Sequence, residues 1–167
     1  TGSETKFDYT VFDAIEDLND AAAYIVSSYD GNSYSAMTNV NVTNAKDGSK
    51  YSWYFTGAEA TMSPDKTGVN ISGANAEKFT IKKQTDGTYT IQASNGDYLF
   101  SYIDGTHYSI GIGASPTNGG TKNWNITVSG KGFSVKGVTT NVNLDYSDKG
   151  SFCGYKDTPK QPIYFCA

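Results

Sequence analysis

Residues 79–99 decide the fold, because their pattern returns later in the chain. They read FTIKKQTDGTYTIQASNGDYL, and residues 124–144 read WNITVSGKGFSVKGVTTNVNL. The two copies start 45 residues apart, and in each a leucine follows the leading aromatic residue by 20 positions. A looser copy occupies residues 23–37, and residues 163–165 match the start of a copy. Self-similarity at a fixed spacing is typical of folds that repeat one small unit.

Short strands are predicted throughout these copies, since β-branched and aromatic residues dominate and Asp-Gly or Asn-Gly turns separate them. The predicted strands are residues 24–28, 33–38, 51–56, 78–82, 88–93, 98–102, 108–112, 123–128, 133–137, 142–146, 151–155 and 163–166. About twelve strands in three units is the count of a β-trefoil, and a closed barrel or a sandwich is the alternative. The first unit is about 20 residues longer, and residues 69–71 could add a strand there.

The length of 167 residues fits one domain. We expect a single all-β domain over residues 1–167, with a lead-in over residues 1–22 and the repeated body over residues 23–167. Val11, Ile15, Leu18 and Ala22 recur at helical spacing. This spacing predicts a short helix or turn in the lead-in. The inward strand residues are expected to form one shared core: Ile25, Ile81, Ile91, Leu99, Trp124, Ile126, Val135, Leu144, Ile163 and Phe165.

The composition excludes several classes of protein. Charged residues make up only 18% of the chain, while Ser, Thr and Asn together number 49 of 167 residues, which is typical of secreted or surface proteins. All 13 basic residues are lysine, and the net charge is −4, so nucleic acid is a poor fit as a partner. No apolar run approaches the roughly 20 residues that a transmembrane helix needs. We expect an extracytoplasmic location.

Two cysteines, Cys153 and Cys166, are too few for a disulfide framework and lack the spacing of a zinc site. Residues 151–155 and 163–166 are predicted to form a closing hairpin. If Tyr155 pairs with Tyr164, the two cysteines lie opposite each other, at a distance that a disulfide tolerates. Two buried free thiols are the alternative.

The chain resembles the small all-β modules that gut bacteria append to secreted enzymes and surface lipoproteins. The resemblance lies in residues 18–26, the aromatic-x-Ile strand 79–81, Gly-x-Tyr-x-Ile at 87–91, Asn-Gly-x-Tyr-Leu at 95–99, and the closing residues 152–155 with 163–165. It covers most of the chain after Leu18. The repeat layout is similar to that of ricin-type β-trefoil lectins, which implies sugar binding. Their Gln-x-Trp signature is absent, because neither Trp53 nor Trp124 has the glutamine.

The usual catalytic motifs are missing. His107 is the only histidine and follows an Asp-Gly turn, where a solvated loop residue is expected. The sequence has no nucleophile elbow, zinc-protease motif, phosphate loop or dinucleotide fingerprint. We therefore expect no enzyme activity, no metal and no cofactor.

Carboxylates are the remaining chemistry, since a glycosidase formally needs only two. Asp145 alternates with inward candidates on its strand, so Asp145 and Asn143 are expected on one outward face. A solvated strand face is the simpler interpretation of this pair, and an acid or a sugar ligand is the functional one.

Aromatic residues are the best candidates for binding, because flat rings edged by polar groups suit sugar faces and protein grooves. Trp53 and Phe55 should share one face of their strand, and Tyr54 the other. The predicted ligand-binding residues are Trp53, Tyr54, Tyr102, Tyr108, Asn143 and Asp145. These residues predict a non-catalytic binding module, first for a carbohydrate, and alternatively a structural or adhesive surface domain that binds another protein.

Overall fold

The computed structural model describes residues 6–167, and their regular structure is almost entirely β-strand. Fourteen strands lie in this part of the chain, and every strand pairing is antiparallel. The strands are β1 Tyr9–Thr10, β2 Ala21–Ser28, β3 Tyr34–Thr43, β4 Lys50–Met62, β5 Gly68–Ile71, β6 Lys78–Lys83, β7 Tyr89–Gln92, β8 Tyr98–Asp104, β9 His107–Gly113, β10 Asn123–Ser129, β11 Gly132–Gly137, β12 Asn143–Tyr146, β13 Ser151–Tyr155 and β14 Tyr164–Cys166. The predicted all-β fold is confirmed.

Six strands pair into a closed circuit. β2 pairs with β6, β6 with β7, β7 with β10 and β10 with β11. A bridge between Phe133 and Ile163 links β11 to the start of β14, and β14 pairs with β2. Three hairpins, β3–β4, β8–β9 and β12–β13, leave the circuit between successive pairs of its strands.

Glycine turns allow the tight connections between these strands. Gly87, between β6 and β7, and Gly96, between β7 and β8, have φ of 86° and 92°. Residues other than glycine rarely adopt such positive φ values. In the first turn, Asp86 Oδ1 accepts hydrogen bonds from the backbone N–H and the hydroxyl of Thr88, at 2.9 and 2.6 Å. The Asp-Gly-Thr sequence therefore closes the hairpin through both its glycine and its carboxylate.

The circuit encloses one core of aromatic and aliphatic side chains. Trp124 is completely buried at its centre, and its indole N–H donates to the carbonyl of Leu99 at 3.0 Å. Phe133 and Phe165 meet edge to face, with ring centroids 5.7 Å apart. All ten residues predicted for the core belong to this cluster.

A second, smaller core explains the length of the first unit. β1 pairs with β5 and β5 with β4, so two strands are added to the β3–β4 hairpin. Beneath them lie Val69, Tyr34, Tyr164 and Cys166, all buried. The strand expected at residues 69–71 is confirmed as β5, and β1 and β5 are the two strands beyond the predicted twelve.

The N-terminal segment forms a turn, since its only helical element within the described residues is the four-residue 3-10 turn Ile15–Leu18. Val11 bridges to Cys166, and Ala22 already belongs to β2. The helical spacing of these residues therefore does not produce a long helix. The segment instead connects the bridge at Val11 to the start of β2. Leu18 is the buried residue of the turn, and Ile15, which is partly buried, also packs against the core.

The predicted C-terminal hairpin is wrong. β13 pairs with β12 and β4, whereas β14 pairs with β2. Cys153 lies opposite Asp145, and Cys166 lies opposite Tyr24. The two cysteines are buried free thiols, so the disulfide is not formed. The cause is that residues 156–162 lead from a hairpin back to the barrel circuit and do not form a local turn.

Candidate functional site

A cleft of about 990 Å³ opens where the three hairpins meet. One wall comes from β4, one from the β8–β9 hairpin and one from the turn and strand of β12–β13. Each hairpin supplies at least one aromatic ring. These are Tyr51, Trp53, Tyr54, Tyr102, Tyr108 and Tyr155.

An irregularity in β4 presents the first three rings together. Asn41 of β3 lies opposite Phe55, but its neighbour Val42 lies opposite Tyr51, so residues 52–54 form a bulge outside the ladder. The side-chain N–H of Asn41 donates to the carbonyl of Tyr54 at 3.2 Å and anchors the bulge.

The bulge corrects the expectation that Tyr54 lies on the face opposite to Trp53. The rings of Tyr51, Trp53 and Tyr54 form a triangle with centroid separations of 5.5, 5.6 and 6.0 Å. Two of the three contacts are edge to face, which suits the quadrupoles of the rings. Trp53 keeps 41% of its surface exposed and is therefore available to a ligand.

The β8–β9 hairpin forms the second wall. Tyr102 is mostly buried, and its ring lies 5.7 Å from that of Phe100. Tyr108 is half-buried, and its strand continues to the exposed residue His107, which pairs with Asp104 at the turn. Tyr102 therefore packs into the protein and exposes little of its surface, whereas Tyr108 exposes more.

The β12–β13 hairpin supplies the third wall and part of the floor. Tyr155 is 45% exposed. Cys153 lines the cleft but has only 8% of its surface exposed. Burial raises the pKa of the Cys153 thiol to about 12, and the charges of Asp145 and Asp148 act in the same direction. The thiol is therefore protonated at neutral pH and is a poor nucleophile or metal ligand.

Four of the six predicted ligand-binding residues line this cleft: Trp53, Tyr54, Tyr102 and Tyr108. Asn143 and Asp145 lie on β12 and do not line the cleft, and the outward position expected for the pair is wrong for Asn143. Asn143 is buried because β12 is paired on both sides, and its amide donates to the carbonyls of Tyr155 and Asp157 at 3.4 and 3.0 Å. These bonds hold the chain after β13.

Asp145 is half-buried opposite Cys153 and accepts a hydrogen bond from the backbone N–H of Tyr146 at 2.8 Å. Burial raises the pKa of this carboxyl, and the hydrogen bond only partly opposes that effect. Asp145 therefore lies within the β12–β13 ladder and is not one of the residues that line the cleft.

Four further residues of the cleft were not among the predicted ligand-binding residues: Tyr51, Tyr155, His107 and Cys153. Tyr51 and Trp53 stand in one aromatic run over residues 51–55, which was a usable signal. Tyr155 and Cys153 carried no such signal, because their position follows from β13 pairing with β4 across almost 100 residues of sequence.

Charged side chains surround the cleft without giving it one sign. The cleft is lined by two acidic residues, Asp104 and Asp148, and two basic residues, Lys149 and Lys156, and all four are exposed. The hydroxyls of Thr56, Thr106, Ser109, Ser147 and Ser151 also line it. Within residues 6–167 there is no group of three or more side chains that could hold a metal ion. The arrangement suits a ligand with flat apolar faces and hydroxyl edges.

A smaller cleft of about 600 Å³ lies where the N-terminal strand meets the loop after β4 and the β10–β11 turn. Its lining includes Asp13, Asp17 and Asp65 together with Lys66 and Lys131. Lys131 Nζ donates to the carbonyl of Asp65 at 3.1 Å, which ties the turn to the loop. This cleft has one aromatic ring, Phe12, so the aromatic surface is concentrated at the hairpins.

The chain matches no model of a protein family and no curated protein. Among solved structures it is similar to a salivary protein of a Culex mosquito, which belongs to the Cysteine and Tryptophan-Rich (CWRC) family. The two chains are 16% identical, the TM-score is 0.53, and the match covers 87% of this chain and 95% of the mosquito protein. This likeness concerns the fold alone. In the described part of the chain, no helix has the length and apolar character needed to cross a bilayer.

Proposed function

We propose that this chain is a non-catalytic, extracytoplasmic module that binds a carbohydrate in the cleft between its hairpins. The observation that carries the proposal is the convergence of six aromatic rings from three hairpins on one open cleft. Aromatic faces pack against the C–H faces of sugar rings, and phenol and indole groups donate to sugar hydroxyls.

The architecture supports the proposal. Six strands in a closed circuit and three hairpins between them correspond to a β-trefoil, which is the finer fold that we propose. Two features support a location outside the cytoplasm. The chain is rich in Ser, Thr and Asn and poor in charged residues, and it resembles secreted modules and surface lipoproteins of gut bacteria.

The chemistry around the cleft favours binding over catalysis. The Cys153 thiol is held protonated by burial, with a pKa of about 12. Asp145, the carboxyl whose pKa burial raises, lies on β12 and does not line the cleft. A glycosidase needs two carboxyls that flank the bound sugar, one of them with a raised pKa so that it can donate a proton. The two carboxyls that line the cleft, Asp104 and Asp148, are both exposed at its rim.

Tryptophan fluorescence tests the proposal, since the chain has only two tryptophans and they differ in exposure. Trp53 is 41% exposed at the cleft, and Trp124 is fully buried in the barrel. Titration with a panel of plant, microbial and animal glycans should change the emission of Trp53, and the change should be lost in Trp53→Phe.

The matched control is Tyr29→Ala, because Tyr29 has the same 41% exposure but lies outside the cleft, beside Lys160. Trp53→Ala should weaken binding about tenfold or more, if a sugar face gains as much from one ring as a stacked nucleic-acid base does, which is roughly 1–3 kcal/mol. Tyr29→Ala should leave binding unchanged. A flat response to every glycan would contradict the carbohydrate proposal.

The second candidate is a surface domain that binds another protein. It is favoured by Trp53 and Tyr155, two exposed aromatic residues that line the same cleft from different hairpins. The other large exposed apolar side chains, Tyr29, Val40 and Val128, are not part of the cleft. A protein interface of ordinary size needs about 800 Å² on each partner. Scattered apolar groups give less than this, which is why the glycan is the first choice.

A further inference from the structure

We infer that the cleft takes one uncharged oligosaccharide per chain, longer than a single sugar ring. This inference rests on the proposed function and names the ligand class and the stoichiometry of the same site. Three observations carry it: the charges that line the cleft, the position of the cleft relative to the three repeats, and its size.

The charges at the rim favour an uncharged ligand. Two carboxylates, Asp104 and Asp148, are balanced by two ammonium groups, Lys149 and Lys156, so these four side chains sum to zero. The chain has no arginine, and arginine is the side chain that binds carboxylate and sulfate groups in a bidentate manner. An acidic sugar would meet two carboxylates at the rim, and a cationic sugar would meet two lysines. Neither sign gains net attraction.

The position of the cleft favours one site per chain. A threefold repeat would give three equivalent sites if each repeat carried its own. Here the rings are shared out unequally, with three from β4, two from the β8–β9 hairpin and one from β13, and all six line the same cleft. The bulge at residues 52–54, which assembles the largest group of rings, belongs to the first repeat alone among the three hairpin ladders.

The size of the cleft favours several sugar rings. Its volume of about 990 Å³ lies at the upper end of the roughly 300–1,000 Å³ that small-molecule sites occupy. A single sugar ring would leave most of it filled with water. In the described residues, every buried side-chain polar atom has a hydrogen-bond partner. The polar contacts to a ligand therefore come from the exposed Thr106 and the four charged residues of the rim, and the stacked rings supply most of the affinity.

Isothermal titration calorimetry tests the inference on the whole chain. The probes are uncharged oligosaccharides of one to six rings, built from glucose, galactose, mannose, xylose or N-acetylglucosamine. Trigalacturonate and the trimer of deacetylated chitin serve as the anionic and cationic partners of two of these series. We expect a stoichiometry of one and at least a tenfold gain in affinity between one ring and three. We also expect less than a twofold change in Kd between 50 and 500 mM NaCl.

A charge variant sharpens the test. Asp104→Asn with Asp148→Asn leaves two lysines unopposed at the rim, so this variant should acquire salt-sensitive binding of trigalacturonate. Asp20→Asn with Glu59→Gln makes the same change in net charge at two exposed positions outside the cleft and should not acquire it.

The outcomes separate the two proposals. No binding of any glycan would contradict the proposed function and this inference with it. Binding of trigalacturonate or the chitin-derived cation in preference to its uncharged partner would overturn the inference alone. Three sites per chain, or an affinity that does not rise with the number of rings, would also overturn it while leaving carbohydrate binding intact.

Discussion

The two tryptophans, Trp124 and Trp53, lie in two regions of the molecule and have different roles, one in the core and one at the cleft. Trp124 lies in the barrel circuit, fully buried, with its indole N–H bonded to the carbonyl of Leu99. Trp53 lies on a bulge of β4, 41% exposed, and contacts two tyrosines that are themselves half-buried. Regular pairing turns an aromatic residue inward, and a break in the pairing turns one toward the cleft. The barrel therefore supplies stability, and the hairpins supply the surface.

The largest effect should come from removing the ring at the centre of the barrel. Trp124→Ala leaves a cavity and an unpaired carbonyl at Leu99, so we expect a loss of about 3–5 kcal/mol in the free energy of unfolding. Trp53→Ala is the matched comparison and should change this free energy by about 0.5 kcal/mol or less. Urea denaturation followed by circular dichroism measures both. Equal effects of the two substitutions would abolish the distinction between the regions.

A methyl group at Gly154 should separate two hairpins that form the cleft. A Cβ there would lie 2.7 Å from Val142 Cγ1 and 2.8 Å from the carbonyl oxygen of Tyr108, closer than real contacts allow. We expect Gly154→Ala to cost about 1–3 kcal/mol and to weaken glycan binding, because β13 must shift relative to β9. In Gly113→Ala, on β9, the Cβ would have ordinary contacts of 3.5 Å or more. That variant should fold and bind like the parent, and an equal loss in both would contradict the packing described here.

The thiols should make the protein less stable at alkaline pH. Burial raises the pKa of Cys153 and of Cys166 to about 12, from 9.0 for a free thiol. The unfolded chain therefore releases these protons first, and the stability that the raised pKa contributes is present below pH 9 and is lost as the pH rises toward 12. Each thiol should remove about 1 kcal/mol per pH unit just above pH 9.

Urea denaturation between pH 8 and 10 measures this loss, and Cys166→Ala should reduce it. The thiols should also resist iodoacetamide at pH 8 in the folded protein and react fully in urea without reductant. A disulfide-linked peptide in the mass spectrum would contradict the free thiols.

The sequence predicted the all-β class and the core better than the cleft, and the reason is physical. Inward positions such as Ile81 and Trp124 follow from strand alternation within short repeats, so pattern alone identified the core. The bulge at residues 52–54 breaks that alternation, so Tyr54 was assigned to the wrong face. The C-terminal strand was paired with its neighbour in sequence, whereas it pairs with β2, almost 140 residues away. Nothing local in the sequence specifies such a pairing.

The smallest effect should come from acid, at the turns between strands. Four aspartates at the turns accept hydrogen bonds from nearby serine or threonine residues. These bonds lower the pKa of each carboxyl below its ordinary 3.8. The four are Asp30, Asp47, Asp65 and Asp86. Their contribution to stability is present above about pH 4 and is lost as the pH falls through the lowered values. Protonation of Asp145, whose pKa burial raises, acts in the opposite direction and begins at higher pH.

Thermal unfolding between pH 2 and 5 should show a shallow decrease in Tm, and Asp86→Asn should make it shallower. Since hydrogen bonds from neutral backbone and hydroxyl groups, and not ion pairs, lower these four pKa values, salt should change the result little. A steep transition near pH 5 would instead indicate a buried ion pair that the structure does not have among its described residues.

The two tryptophans allow one direct test of whether a ligand binds at the hairpin cleft. In a ¹H–¹⁵N spectrum, the chain has two indole N–H signals, which Trp53→Phe assigns. On titration with the oligosaccharide that binds most tightly, the Trp53 signal should shift in a saturable manner while the Trp124 signal stays in place. Movement of both signals, or saturable shifts confined to residues outside the three hairpins, would contradict the claim that the barrel is a passive scaffold and the hairpin cleft is the binding site.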